Sequence, residues 1–148
     1  MAAPVWVYVD TVCDLFHAGH LAFFEKARAL GDRLIVGLHS DDEVSTYKPA
    51  PILSFPERHA MVAACRLVDA VVPDPVPLHC TEAHLDAIGA AFACHGDDLS
   101  ADEMAYWYGA LVPSGRIRTV PYTPGISSRA IVERVADRLK AGTLRVKL

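Results

Sequence analysis

Val5-Trp6-Val7-Tyr8-Val9-Asp10-Thr11-Val12-Cys13-Asp14-Leu15-Phe16-His17-Ala18-Gly19-His20 is the stretch that decides the fold. Residues 5–9 are β-branched or aromatic and read as a strand. From Ala18 the apolar period changes: Leu21, Phe24, Ala27 and Leu30 recur at helical spacing, and Gly31 reads as the left-handed residue that closes the helix. A strand is thus followed at once by a helix, with a short polar loop between them.

The same alternation runs down the chain. Residues 34–38 read as a second strand, and Ser40-Asp41-Asp42-Glu43 as a capping box opening a short helix. After a proline-bearing loop over 47–53, Ser54-Phe55-Pro56-Glu57 starts a helix that runs to Arg66. Strands follow at 69–72, 91–94 and 117–120, separated by helices starting at Thr81 and at Ser100–Glu103. Gly125-Ile126-Ser127-Ser128 opens a last helix to about Lys140. The expected fold is α/β: a Rossmann-like, doubly wound, five-stranded parallel sheet with helices on both faces. Such sheets bind ligands beyond the carboxyl ends of their strands, so functional residues should follow strands. Residues 1–148 read as one domain, which can also be the N-terminal part of a longer protein.

Net charge is −4 and the isoelectric point near 5.9, which argues against a nucleic-acid partner held by a broad basic surface. A few local cations and backbone amides suffice for small anions. No apolar run approaches the ~18 residues of a membrane span. Cys13, Cys65, Cys80 and Cys94 are widely spaced without a CxxC pair, as expected of structural thiols in a reduced, cytoplasmic protein.

The chemistry concentrates where the first strand meets the first helix. His17 and His20 lie three apart at a helix N-terminus, with Gly19 leaving the backbone open between them. Free N–H groups and the positive end of the helix dipole suit a phosphate chain. Two bland alternatives exist for the same residues. The histidines can simply cap the helix, or bind zinc with Asp14 as a third ligand.

This segment resembles the signature of the cytidylyltransferases that act on glycerol 3-phosphate, phosphocholine and phosphoethanolamine, approximately G-x-F-D-L-x-H-x-G-H. Asp14, Leu15, His17, Gly19 and His20 match it, whereas Thr11 replaces a glycine and Cys13 an aromatic residue. Further stretches resemble the same family in the same order. They are Ile35-Val36-Gly37 with Ser40-Asp41, Lys48 ten residues before Arg58, residues 66–72 (RLVDAVV), His95-Gly96-Asp97-Asp98, and Gly125-Ile126-Ser127-Ser128. In the last motif Tyr122 replaces arginine, Pro124 glutamate and Arg129 serine or threonine, so one cation of the family pattern is missing or relocated to Arg129 or Arg118.

The resemblance implies a CTP-dependent cytidylyltransferase, with CTP and a small phosphorylated or phosphonate acceptor as substrates, and a homodimer with residues 66–72 near its interface. It makes His17, His20 and Lys48 catalytic: the histidines donate to the triphosphate, and Lys48 bridges the α-phosphate and the incoming anion. Val12, Cys13, Asp14, Gly19, Arg66, Gly96, Asp97, Gly125, Ile126, Ser127 and Ser128 are implied around the nucleotide. Of these, Asp14 orients neighbouring groups, and Ser127 and Ser128 hold the β- and γ-phosphates. Mg²⁺ is expected with the triphosphate, carried by phosphate oxygens and water rather than by a dedicated protein site. For the acceptor, Lys48, Arg129, Tyr106 and Trp107 are candidates; the aromatic cluster Tyr106, Trp107 and Tyr108 can enclose a quaternary ammonium group or simply pack in the core. Candidate acceptors run from phosphoethanolamine, phosphocholine and glycerol 3-phosphate to phosphonates such as 2-hydroxyethylphosphonate. An adenylyltransferase of the same superfamily and a non-catalytic nucleotide-binding domain are the alternatives.

Overall fold

The computed structural model describes residues 1–147; the last position of the expected 1–148 domain lies outside them. Five strands form one sheet: β1 (Trp6–Thr11), β2 (Arg33–Leu38), β3 (Ala70–Val71), β4 (Phe92–Gly96) and β5 (Ile117–Val120). All pairings are parallel and the order is β3-β2-β1-β4-β5. The doubly wound α/β expectation therefore holds, with β5 at the bounds read from sequence. β3 shrinks to two residues because it pairs with β2 only at Ile35–Ala70 and Val36–Val71.

The helices are α1 (Ala18–Arg28), α2 (Asp41–Val44), α3 (Phe55–Ala63), α4 (Glu82–Ile88), α5 (Ala101–Tyr108) and α6 (Ser128–Lys140), with a 3₁₀ turn over Gly109–Leu111 after α5. Strand alternation splits the core in two. Val7 and Val9 of β1 point to one face, with Leu34, Val36 and Cys94, and meet Phe24 and Ala27 of α1 and Val62 of α3. Tyr8 and Ala93 point to the other, against Leu85 of α4 and Tyr108 of α5. None of the helices is long and apolar enough to cross a membrane among the described residues.

Local signals fared unevenly. In both α3 and α5 the N3 glutamate returns a carboxylate to the capping serine: Ser54 N donates to Glu57 Oε2 at 2.8 Å and Ser100 N to Glu103 Oε2 at 2.8 Å. At α2 only half of the expected box forms. Ser40 Oγ accepts from Glu43 N at 3.1 Å, and the neighbouring Asp41 carboxylate is drawn instead to Arg58. Gly31 does not close α1 in the left-handed region; Ala29 ends it in right-handed conformation. A Cβ at Gly31 would lie 2.8 Å from both Val5 O and Val7 Cγ2, so close approach to β1 is what requires the glycine.

β1 lies between β2 and β4, where the order of strands reverses. The chain leaves β1 towards β2 and β3, with α1 and α3 on one face, and returns through α4 to β4 on the other. The carboxyl ends of β1 and β4 consequently diverge, and a crevice opens above them.

Candidate active site

That crevice is a cavity of about 850 Å³. The end of β1 and the loop after it form its floor, with Asp10, Thr11, Val12, Cys13 and Asp14; His20 stands at one side and His95 near the end of β4, whereas His17 does not line it. The loop is shaped by two non-glycine residues in the left-handed region, Cys13 (φ 57°) and Leu15 (φ 51°), at a cost of about 1–2 kcal/mol each. Thr11, standing where the signature has glycine, contributes its Oγ1 as acceptor for Cys13 N at 3.2 Å.

The two histidines form a reciprocal cap on α1. His17 Nδ1 accepts from Gly19 N at 3.0 Å, and His20 Nδ1 accepts from His17 N at 3.1 Å. An imidazole whose Nδ1 accepts carries its proton on Nε2. Both rings are thus fixed as neutral tautomers whose remaining donor is Nε2–H. Burial lowers the pKa of His17, and burial together with the His17 ring takes that of His20 down to about 4. The rings lie 3.8 Å apart between centroids, and Phe16 stacks on His20 with planes 2° from parallel. A Cβ at Gly19 would fall 2.9 Å from His17 Nδ1 and 3.2 Å from Ile126 O. Gly19 is therefore required by the packing of the cap itself. Capping and a free donor coexist in the same rings. The third-ligand requirement for zinc has no support: no three His, Cys, Asp or Glu side chains converge as a metal site among the described residues.

Asp14 ties this motif to the loop that carries Lys48. Its Oδ2 accepts from Ile52 N at 2.8 Å and its Oδ1 from Leu53 N at 2.9 Å. Lys48 lines the cavity, its pKa pulled down by burial and held up by the Asp14 carboxylate. The far side of the same loop is anchored by Arg58, which is fully buried. Arg58 donates to Val12 O (2.6 Å), His39 O (2.9 Å), Leu53 O (3.2 Å) and Asp41 Oδ1 (2.6 Å). One guanidinium thereby joins the loop after β1, the end of β2, the start of α2 and the Lys48 loop.

The β5–α6 connection closes over the histidines. Gly125 turns it at φ 107°, Ser127 Oγ caps α6 by accepting from Ala130 N at 3.0 Å, and Ser128 Oγ donates to Asp14 O at 2.6 Å. Ser128 and Arg129 line the cavity, whereas Gly125, Ile126 and Ser127 stand behind it. Of the two arginines offered as the relocated cation, Arg129 is at the cavity. Arg118 stacks on Phe92 at 3.7 Å instead. Tyr122, in place of arginine, is half-exposed and donates its backbone N–H to Asp97 Oδ1 at 2.8 Å.

Several expected site residues lie elsewhere. Arg66 is exposed and precedes β3, so it sits at the amino edge of the sheet while the cavity opens at the carboxyl edge. Its motif supplies Asp69 there, gripped by Arg28 and Arg33, whose guanidinium groups help take its pKa down to about 2. Gly96 and Asp97 stitch the ends of β4 and β5 together, with Asp97 N donating to Val120 O at 2.9 Å. Tyr106 is exposed and packs on His79 outside the cavity, while Trp107 lines it, stacks against His79 and meets Tyr47 at a tilt.

Two cavity residues, Asp10 and His39, were missed from sequence. Both are buried, as is Tyr108 of the aromatic cluster, whose hydroxyl donates to Asp10 Oδ1. Asp10 is near the end of β1 and His39 immediately follows β2. The rule that ligand groups follow strands would have found both.

Fold and cavity together place the chain among the Rossmann-like proteins whose site lies at the switch point of a parallel sheet. The chain belongs to the Cytidylyltransferase-like family, whose pattern it matches over residues 8–134. It is 38% identical over 134 residues to an ethanolamine-phosphate cytidylyltransferase from Dictyostelium discoideum, covering 89% of this chain and 37% of that protein. With the enzyme of the same name from Mus musculus it shares 36% over 138 residues, 93% of this chain and 34% of the other. It thus spans about a third of the length of these relatives. A lipopolysaccharide core biosynthesis protein from Thermoplasma volcanium has the same fold, with a TM-score of 0.67 at 18% identity over 84% of this chain and 100% of its own.

Proposed function

We propose that the chain transfers CMP from CTP to a small phosphate- or phosphonate-bearing acceptor that carries an ammonium group, releasing pyrophosphate. The observation that carries this reading is the His17–His20 pair, two neutral Nε2–H donors fixed at a helix N-terminus. The attacking oxygen belongs to a phosphate or phosphonate already ionised at neutral pH, so no general base is needed. The barrier lies in bringing two polyanions together and in stabilising charge on the departing pyrophosphate. Locked N–H donors beside the β1 loop, Lys48 on the cavity wall and the backbone N–H groups at the N-terminus of α6, beside Ser128, answer that requirement. Arg129 stands at the rim with its guanidinium paired to Glu133 at 2.9 Å.

Mg²⁺ would enter with CTP, held by phosphate oxygens and water, and would neutralise charge on the triphosphate. The ammonium is inferred from the acceptor end of the cavity, where buried Asp10 and the Glu103 carboxylate stand among Tyr47, Trp107 and Tyr108. The relatives named for ethanolamine phosphate support the same choice. The proposed assembly is a homodimer, and half-exposed Met61 on α3, beside residues 66–72, supports an interface there.

The test is pyrophosphate release with CTP and ATP side by side, over phosphoethanolamine, phosphocholine, glycerol 3-phosphate, 2-aminoethylphosphonate and 2-hydroxyethylphosphonate. Turnover with CTP and an amine-bearing acceptor is expected. His17→Ala or His20→Ala should lower kcat about a hundredfold or more, the loss typical of one transition-state donor. Preference for ATP, or near-normal rates in either variant, would overturn the reading.

A further inference from the structure

The buried acceptors at the end of the cavity have a geometry more selective than a general cation site. Asp10 and His39 are each more than nine-tenths buried, yet both line the cavity. Of the two Asp10 oxygens, Oδ1 is taken by the Tyr108 hydroxyl. The other, Oδ2, faces His39 Nε2 at 4.0 Å, beyond hydrogen-bond reach. The tautomer of His39 follows from its second nitrogen. Nδ1 lies 3.3 Å from Val76 O, and a carbonyl oxygen only accepts, so Nδ1 bears the hydrogen. In the neutral ring Nε2 is then a lone pair. Two acceptors, one of them anionic, therefore face each other across a gap that neither closes.

A donor about 2.8 Å from each of two acceptors 4.0 Å apart subtends roughly 90° at its centre, near the tetrahedral spread of two N–H bonds on one nitrogen. We infer that His39 is a specificity-determining residue: with Asp10 it forms a two-acceptor cradle that takes two N–H bonds of one ammonium and thereby selects primary and secondary ammonium acceptors over tertiary and quaternary ones. This inference rests on the proposed cytidylyl transfer. A quaternary ammonium satisfies the charge of Asp10 but offers no N–H, and leaves both buried acceptors unpaired. Sites built to hydrogen-bond a substrate group discriminate strongly against analogues that lack it.

The test starts from the wild-type chain, CTP and four acceptors: phosphoethanolamine and its N-methyl, N,N-dimethyl and N,N,N-trimethyl forms. These carry three, two, one and no N–H bonds. A step is expected between the second and the third. The first two should agree in kcat/KM within about threefold, the dimethyl form should fall about tenfold, and the trimethyl form about a hundredfold. His39→Leu removes one acceptor while Arg58 still holds the backbone carbonyl of residue 39. In that variant the step should move to between the dimethyl and trimethyl forms.

A dimethyl form as good as the monomethyl one, or a step that stays in place in His39→Leu, overturns the inference. If His39→Leu does not fold, the position of the wild-type step decides alone. Turnover of glycerol 3-phosphate without any amine acceptor would overturn the cradle and leave cytidylyl transfer standing. No pyrophosphate with any acceptor would overturn both.

Discussion

Arg58→Met is the perturbation that separates a buried structural cation from a substrate-binding one. Methionine keeps much of the volume and removes every donor. The guanidinium serves three backbone carbonyls, Val12, His39 and Leu53, and one carboxylate. Asp41 is 42% exposed and recovers water, so its loss is cheap. The carbonyls are less fortunate, since each unpaired buried acceptor costs about 1–3 kcal/mol. Partial exposure of Val12 and Leu53 argues for the lower end there. The sum is about 3–5 kcal/mol, as for breaking other buried charged contacts. At about 2–4 °C per kcal/mol for a domain near this size, Tm should fall by about 10 °C. Differential scanning calorimetry with a urea titration measures it. A Tm within about 2 °C of wild type would refute the assignment of Arg58 as the clamp of four segments. So would unchanged stability with a selective rise in KM for CTP, which is the behaviour of a phosphate-binding arginine.

Two further outcomes follow from the same geometry. Gly19→Ala forces a Cβ to 2.8 Å from His17 Cε1, so the ring must leave its cap; pyrophosphate release should drop about a hundredfold while stability falls by only about 1 kcal/mol, the value of a cap, and near-normal turnover would count against the locked-tautomer account. Because the His20 pKa is taken down to about 4 in the folded chain against near 6.5 when unfolded, the unfolded chain binds the extra proton: this contribution is complete above pH ~6.5 and is lost as pH falls towards 4, the loss reaching about 2 kcal/mol at pH 5. Urea titrations at pH 7 and pH 5 should show that loss in wild type and a smaller one in His20→Asn; identical losses would remove the linkage.

The strands and caps were legible because each is written locally. Residues 117–120 begin and end on β-branched apolar residues and stop at Pro121, and Ser54 and Ser100 each precede a glutamate at N3. Gly31 was misread for want of a third dimension: glycine after a helix signals a left-handed cap, but the same residue also admits a neighbouring strand, and only the packed β1 shows which demand applies. Arg66 and Arg58 were exchanged in importance for a related reason. Arg58 lies three residues after Phe55 and four before Val62, on the apolar stripe of α3, and a charge on a buried stripe announces buried partners. Its partners come from four separate segments, which no local pattern brings together.

The same reasoning explains why the sequence places the histidine pair at a helix N-terminus but does not show its tautomers. From sequence, His17 and His20 are caps or ligand donors, read as alternatives. Each imidazole has two nitrogens, and the helix uses one. Spending Nδ1 on a backbone N–H fixes the tautomer, so the cap is what makes Nε2 a donor with no reorganisation left to perform. Burial, which lowers both pKa values, keeps the proton count fixed near neutrality. His39 applies the logic in reverse. There the carbonyl of Val76 takes the Nδ1 hydrogen and leaves Nε2 as an acceptor. The backbone atom beside each ring decides whether that histidine presents an N–H donor, as the proposed phosphate site needs, or a lone pair, as the proposed ammonium cradle needs.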